Sequence, residues 1–377
     1  MSKQQAGGAL IPKPHYPILD GLRGVAAIMV VFYHIFEAFA TSPIDQFVNH
    51  GYLAVDFFFL LSGFVITYAY DDRWSKMSVK EFFKRRLIRL HPMLVMGAVI
   101  GGLMFYTQDF EPWQVGAVSL GSLLVAVLMN ALLIPATPSI EVRGIGEMYP
   151  LNGPSWSLFF EYIANILYAL VLRRLSLPQL RLGVGAMAVG LASFAVLSEW
   201  GHIGVGWTMN LENMLGGSLR LLFSFSAGML MARSWHLLPK LKVGGAFALG
   251  AAGVVLLTAM PRIGGESLLW LNGIYDSLCA IVLFPLIVYI GGQGELHSTS
   301  AQKLCQTLGD LSYPLYLVHY PFLYLYFAWV KNNELTFSAS IHGAAALFFG
   351  SILLAYLCMK LYDAPVHQWL NHKLSMR

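Results

Sequence analysis

Long apolar runs separated by short polar breaks occupy most of the chain. A bilayer-crossing helix needs about 20 predominantly apolar residues. Runs of that kind cover residues 18–40, 52–70, 92–107, 156–172, 182–199, 214–232, 243–260, 272–291, 308–329 and 337–361, predicting about ten helical spans. An eleventh run, 117–134, is ambiguous on length alone, and the placement of Lys and Arg decides it. Short loops rich in these residues stay in the cytoplasm. With ten spans, one side collects Lys3 and Lys13, the cluster from Arg73 to Arg89, Arg173, Arg174, Arg181, Arg233, Lys240, Lys242, Lys303, Lys360, Lys373 and Arg377. The other side keeps Arg143, Arg262 and Lys331, while Arg23 and Arg220 fall within spans. A full crossing by 117–134 would move Arg173, Arg174, Arg181 and every later basic loop outside, so that run is read as re-entrant or interfacial.

The expected fold class is therefore all-α, one polytopic transmembrane helical bundle. It divides into a cytoplasmic N-terminal segment 1–17, a membrane domain 18–361 and a cytoplasmic tail 362–377, placed in the inner (plasma) membrane. The first apolar run is too long for the core of a cleaved signal peptide and is read as a span.

Composition narrows the function classes. AVILMFWYC residues make up 57% of the 377 positions, about two-thirds once the 36 glycines are added, against ~45–50% for a soluble domain on that count. Only 12% is charged, and the mean hydropathy is +0.61. A cytosolic enzyme, a disordered scaffold and a nucleic-acid module are excluded. The net charge of +4 reflects orientation in the bilayer more than an anionic partner. Of three cysteines, Cys279 and Cys358 lie in apolar stretches, and neither a CxxC nor a Cys/His metal spacing occurs.

Against that background, polar groups inside spans stand out, because an ionisable side chain at the bilayer centre costs at least ~2.5–3.5 kcal/mol on insertion scales. The first span, LDGLRGVAAIMVVFYHIFEAF, holds Asp20, Arg23, His34 and Glu37. Arg23 and His34 are eleven positions apart, so they share a helix face with a rise of about 16.5 Å. The plain alternative is that Arg23 snorkels to lipid phosphate and His34 bonds a neighbouring helix. Asp56 opens the second span and leads to Ser62 and Gly63, the latter suited to close helix packing. The fourth span opens GPSWSLFFEYIANILY, with Trp156 at its head and Glu161 about two turns below Pro154, where a carboxylate needs a partner. In the ninth, LGDLSYPLYLVHYPFLY, residues Ser312, Tyr316 and His319 recur on one face, with Pro314 and Pro321 disturbing the backbone ladder. Finally, KEFFKRRLIRLHP interleaves Lys84, Arg85, Arg86 and Arg89 with apolar residues. Such a cluster is by default orientation charge on anionic lipid. Fixed guanidinium forks, however, also suit phosphate groups.

Together these stretches resemble the acyltransferase 3 family of integral membrane O-acyltransferases. The resemblance rests on LDGLRGVAAIMVVFYH, which fits the family's Arg/Lys-x10-His pattern as Arg23 to His34, and on VDFFFLLSGFVI, FFKRRLIRLHP with Arg86-x-x-Arg89, PSWSLFFEY and SYPLYLVHYP. The five occur in the family's order from residue 19 to residue 321. The resemblance implies transfer of an acyl group, most often acetyl, from cytoplasmic acyl-CoA to a hydroxyl of a carbohydrate or related acceptor, such as surface polysaccharide, lipopolysaccharide or a lipid-linked sugar. Many relatives carry an SGNH domain after the membrane part, and this chain resembles the stand-alone type.

A mechanism in keeping with the residues uses His34 to deprotonate the acceptor, with Glu161 orienting the imidazole and Arg23 on the acyl-CoA side. Arg85, Arg86 and Arg89 would hold the nucleotide phosphates. Asp20, Asp56, Ser62, Trp156, Ser312, Tyr316 and His319 would line the substrate pocket, the last three as candidate oxyanion partners. Direct transfer and a transient acyl-histidine both remain open, and neither route asks for a metal or a bound cofactor. The external stretch 108–155, with Trp113, Glu141, Arg143 and Glu147, is expected to shape the acceptor site. A proton-coupled transporter or lipid flippase would also place His, Glu and Arg at mid-depth, but the inverted repeats common in transporters are not visible in the sequence.

Overall fold

The computed structural model describes residues 15–42 and 45–375. Of the expected N-terminal segment 1–17, positions 1–14 lie outside the described residues, as do positions 376–377 of the tail.

Helices account for all of the regular structure among the described residues, apart from one isolated bridge between Glu147 and Thr208. In chain order they are α1 (Pro17–Glu37), α2 (Ala54–Tyr70, entered through a 3-10 turn at Gly51–Leu53), α3 (Val79–Met104), α4 (Leu120–Ala131), α5 (Ser155–Leu170), α6 (Leu177–Leu197) and α7 (Leu211–Ser234). Then follow α8 (Ala246–Ala259), α9 (Leu269–Leu278), α10 (Phe284–Gln293), α11 (Thr299–Asn332), α12 (Phe337–Cys358) and α13 (Ala364–Ser375). Single π-turns at Cys279–Leu283 and Met359–Asp363 join α9 to α10 and α12 to α13.

Among the described residues, eight helical stretches are long and apolar enough to cross a membrane: α1, α2 with its turn, α3, α5, α6, α7, α9 with α10, and α12 with α13. Two of the ten expected spans deviate. At 243–260 the helix α8 is apolar but only 14 residues long. At 308–329 the 34-residue α11 is long enough but carries Tyr313, Tyr316, Tyr320, Tyr324 and Tyr326. It is buried between α1, α3 and α12 and has less need of an apolar surface. The 117–134 run is not one straight helix. A 109° bend separates Glu111–Ala117 from α4, which starts where Ser119 caps the Ser122 N–H at 3.1 Å. Its shape is that of a broken span or re-entrant loop.

Two close helix contacts organise the bundle. A Cβ on Gly24 of α1 would come 2.4 Å from the Leu308 carbonyl oxygen of α11, and one on Gly63 of α2 would come 2.0 Å from that of Phe225 in α7. Only glycine lets these backbones approach so closely. Leu22, Ala26, Val31, Phe57, Phe64, Met93 and Leu317 fill the core around them. Large apolar side chains such as Leu182, Leu197, Leu256, Phe349 and Leu353 are exposed on the outside, as a lipid-facing surface requires. The start of α3, with Lys80, Lys84, Arg85, Arg86 and Arg89, marks what we term the basic end; α1 begins there, and α13 returns to pack on α3.

Candidate active site

Because α1 turns Arg23 and His34 to the same face, one helix serves two cavities. Arg23 lines a cavity of about 700 Å³ at the basic end, and His34 lines one of about 260 Å³ toward the far end. Val55 and Tyr316 line both and form the partition between them. Tyr316 is fixed in place: Ser157 Oγ donates to the Pro154 carbonyl at 3.1 Å, so the Tyr316 hydroxyl donates to Ser157 Oγ at 2.7 Å. Phe58 packs edge-on against its ring.

In the larger cavity Arg23 donates from Nε to Ser312 Oγ at 2.8 Å and from Nη2 to the Gly309 carbonyl at 3.0 Å, and it lies 3.3 Å from Asp20 one turn back. Arg86 donates to Asn165 Oδ1 at 2.7 Å and to Glu161 Oε1 at 2.9 Å. Ser62 donates to the same Glu161 oxygen at 3.1 Å. Arg89 also lines this cavity, within electrostatic reach of Asp363 and His367. Asp20, Arg23, Ser62, Arg86, Arg89, Glu161, Ser312 and Tyr316 thus converge on one space, which α11 extends with Gln302, Gln306 and Asp310.

Arg85 does not join them. Arg86 and Arg89 are three residues apart and share the inward face of α3, while the 100° step to Arg85 turns it outward, half-exposed, onto Glu81 at 2.7 Å.

The carboxylate partner of His34 is also not the one expected. His34 Nδ1 lies 2.8 Å from Glu37 Oε2, an i,i+3 pair on α1, whereas Glu161 sits on the other side of the partition with Arg86. A carboxylate can only accept, so Nδ1 carries the hydrogen and Nε2 is left with its lone pair. The ring stands edge-on to Tyr320 at 4.9 Å and lies 5.5 Å from the ring of His319. His319, expected in the pocket wall, is fully buried behind it: Nδ1 donates to the Leu315 carbonyl at 3.0 Å, and Nε2 has no hydrogen-bond partner among the described residues.

Asp56 likewise leaves the pocket wall. It is buried against Arg220 of α7, at 2.7 Å from Nη2 and 3.1 Å from Nε. Arg220 also donates to the carbonyls of Val205 and Tyr52 and lies 5.2 Å above the Trp156 ring, and both Arg220 and Trp156 line the smaller cavity. The sequence offered Asp56 and Arg220 as two unexplained intramembrane charges of opposite sign, a signal that would have paired them.

The smaller cavity is also lined by Glu147, which the sequence places in the stretch expected to shape the acceptor site, and by Tyr320, which sequence reasoning left without a role. Glu147 comes from the connection between α4 and α5 and accepts from the hydroxyls of Tyr320, at 3.4 Å, and Tyr324. Burial pushes its carboxyl up to about 7, against the opposing pull of Tyr324 and Arg143. Arg143 locks that connection in place: its guanidinium lies 3.6 Å from the Tyr324 ring and donates to the Pro150 carbonyl.

The helical membrane bundle thus holds a cationic cavity at one end and a histidine–carboxylate pair in a second cavity toward the other, with Val55 and Tyr316 between them. Residues 16–360 match the family described as "Acyltransferase domain", and the chain belongs to that acyltransferase 3 family, as its motifs led us to expect. It is therefore a membrane-embedded acyltransferase. It is 32% identical over 189 residues to "Protein 2 in picA locus" of Rhizobium radiobacter, covering 48% of this chain and 94% of that protein. It is 24% identical over 324 residues to "O-acetyltransferase OatA" of Staphylococcus aureus, covering 82% of this chain and 51% of that protein. To "Acyltransferase MdmB" of Streptomyces mycarofaciens it is 31% identical over 187 residues, 48% of this chain and 45% of that protein. The chain thus spans about half the length of the last two relatives. No solved structure matches it.

Proposed function

We propose that the protein takes an acyl group, foremost acetyl, from acyl-CoA entering the larger cavity from the cytoplasm and passes it to a hydroxyl of a carbohydrate acceptor in the smaller cavity. One observation carries this reading. The Arg23, Arg86 and Arg89 side chains and the His34–Glu37 pair line neighbouring cavities on either side of a partition that, among the described residues, Val55 and Tyr316 line from both sides. Positive-inside bias supports a cytoplasmic basic end, where guanidiniums meet the phosphates of the nucleotide. The O-acetyltransferase name of the Staphylococcus aureus relative supports acetyl as the group and oxygen as its destination.

In this mechanism the thioester carbonyl lies at the partition. His34 Nε2 takes the acceptor's hydroxyl proton while the oxygen attacks the carbonyl carbon, and Glu37 stabilises the imidazolium that forms. In that step the Tyr316 hydroxyl turns its one hydrogen from Ser157 Oγ to the oxyanion. Collapse breaks the carbon–sulfur bond, the proton passes from His34 to the departing thiolate, and ester and free thiol result. Membranes containing the protein, given radiolabelled acetyl-CoA, are expected to release CoA and label a glycan fraction. His34→Ala should lower that transfer by about 10²–10⁴-fold at equal protein level. Wild-type transfer by this variant would refute the role given to His34.

A further inference from the structure

The partition between the two cavities has two halves, and the proposed transfer uses one of them. Tyr316 of α11 turns its hydroxyl to the oxyanion. Val55 of α2, which lines both cavities as Tyr316 does, has no part in that chemistry.

Val55 is held where it is. It is 5% exposed and belongs to the apolar cluster of Phe59, Phe160 and Phe225. The Tyr52 carbonyl, one turn before it, accepts from Arg220 Nη2 at 2.8 Å, and the carboxylate of the next residue, Asp56, accepts from the same nitrogen at 2.7 Å. Arg220 is fully buried, so parting from either acceptor would strand a polar group out of reach of water. Farther along α2, the Gly63 seam fixes the helix against α7. A β-branched side chain in a helix also keeps one χ1 rotamer, so Val55 cannot swing aside while its backbone stays. The ion pair that no step of the transfer uses thus anchors the turn of α2 that carries the partition.

The geometry of a thioester gives this fixed side chain a role. Its carbonyl carbon is trigonal: oxygen, sulfur and acyl chain spread in one plane, and the attacking hydroxyl arrives from a face of that plane. In the proposed transfer the sulfur comes from the basic end, the oxygen turns to Tyr316 and the hydroxyl comes from the His34 side. The direction left for the acyl chain is away from Tyr316, onto Val55. A methyl group ends there. A longer chain has to push against a branched side chain on an anchored turn, or enter the smaller cavity of about 260 Å³ that the acceptor needs.

We propose that Val55 is the specificity-determining residue for the acyl group: it restricts transfer to acetyl, and its size sets how much longer a chain can be accepted. The inference rests on the acyl-transfer reading and adds the determinant of acyl length to it.

The test uses membranes of the source cell containing the full-length protein, with their own acceptor, and equimolar mixtures of acetyl-, propionyl- and butyryl-CoA carrying different labels. Label ratios in the product report relative kcat/KM, and a loss of folded protein lowers all of them alike. For the wild type, each methylene beyond acetyl should lower kcat/KM by about tenfold or more. Val55→Ala, which removes two methyl groups, should raise the propionyl-to-acetyl ratio by about tenfold, and Val55→Ile, one methylene larger, should lower it below the wild-type value. The isoleucine variant decides the matter where the alanine variant does not fold. Equal use of the three donors by the wild type, or a ratio that neither substitution moves, would overturn the assignment. Transfer of no label from any acyl-CoA would instead refute the acyl-transfer reading itself.

Discussion

The two ends of the bundle are built by different means. At the basic end, Asp20, Arg23, Arg86, Glu161 and Ser312 all project from helices, and each finds its partner on its own face or the next helix. At the far end, His34 and Glu37 come from α1, but Glu147, His202, Gly204 and Trp207 arrive on the connections before α5 and α7. Rigid elements hold fixed charges at a spacing a common substrate dictates. Connections can vary without disturbing the bundle. On the proposed reading, a donor shared by many enzymes would belong with the former and an acceptor peculiar to one with the latter.

That contrast can be broken by substitution. The largest effect we expect after His34→Ala is from Arg86→Ala with Arg89→Ala, which should raise KM for acyl-CoA by about ten- to a hundredfold, the loss of charge-assisted bonds, with acceptor KM unmoved. Isotherms of acyl-CoA binding to the double variant check it, and unaltered affinity would return the arginines to a topological role. Glu37→Gln should lower kcat by about tenfold or more and leave donor KM alone. If Glu161→Gln does the same instead, the pairing across the partition has been misassigned. Gly63→Ala should lower thermal stability by about 1–3 kcal/mol, because a methyl group 2.0 Å from the Phe225 carbonyl forces α2 and α7 apart. Both cavities should weaken together, and a melting curve like that of wild type would show that this seam yields.

The smallest effect concerns pH. A buried carboxyl raised to about 7 contributes stability that is fully present below the ordinary value of 4.5 and is lost as pH rises through about 7. Glu147→Gln removes this dependence. Between pH 5 and pH 8 the melting temperature of the wild type should fall more than that of the variant. Parallel pH profiles would show that Glu147 does not titrate against burial.

Sequence periodicity went far at the basic end and less far beyond it. Eleven positions on one helix placed Arg23 and His34 on one face, and the positions of Ser62, Ser312 and Tyr316 followed from where their helices enter the bundle. Helical phase also held the answer for Arg85, one step from Arg86 and therefore outside, and for Glu37, one turn from His34. Both were overlooked because motif and residue type were weighed above phase. The His319 ring and Asp56 mislead for another reason: an intramembrane polar group signals a partner, and the partner turns out to be backbone or Arg220 instead of a substrate. Glu147 was legible only as part of the external stretch 108–155, and His202 and Trp207 could not be placed, since nothing in helical spacing says where a connection folds back over a cavity.

The Asp56–Arg220 pair has a consequence for biogenesis. Each residue alone makes its helix an expensive passenger in lipid, by about 2.5–3.5 kcal/mol. The acidic one is synthesised 164 residues before its counterion. Until α7 emerges, α2 is held in the bilayer with an unmatched charge, and closure of this bridge locks the early and late halves of the chain together.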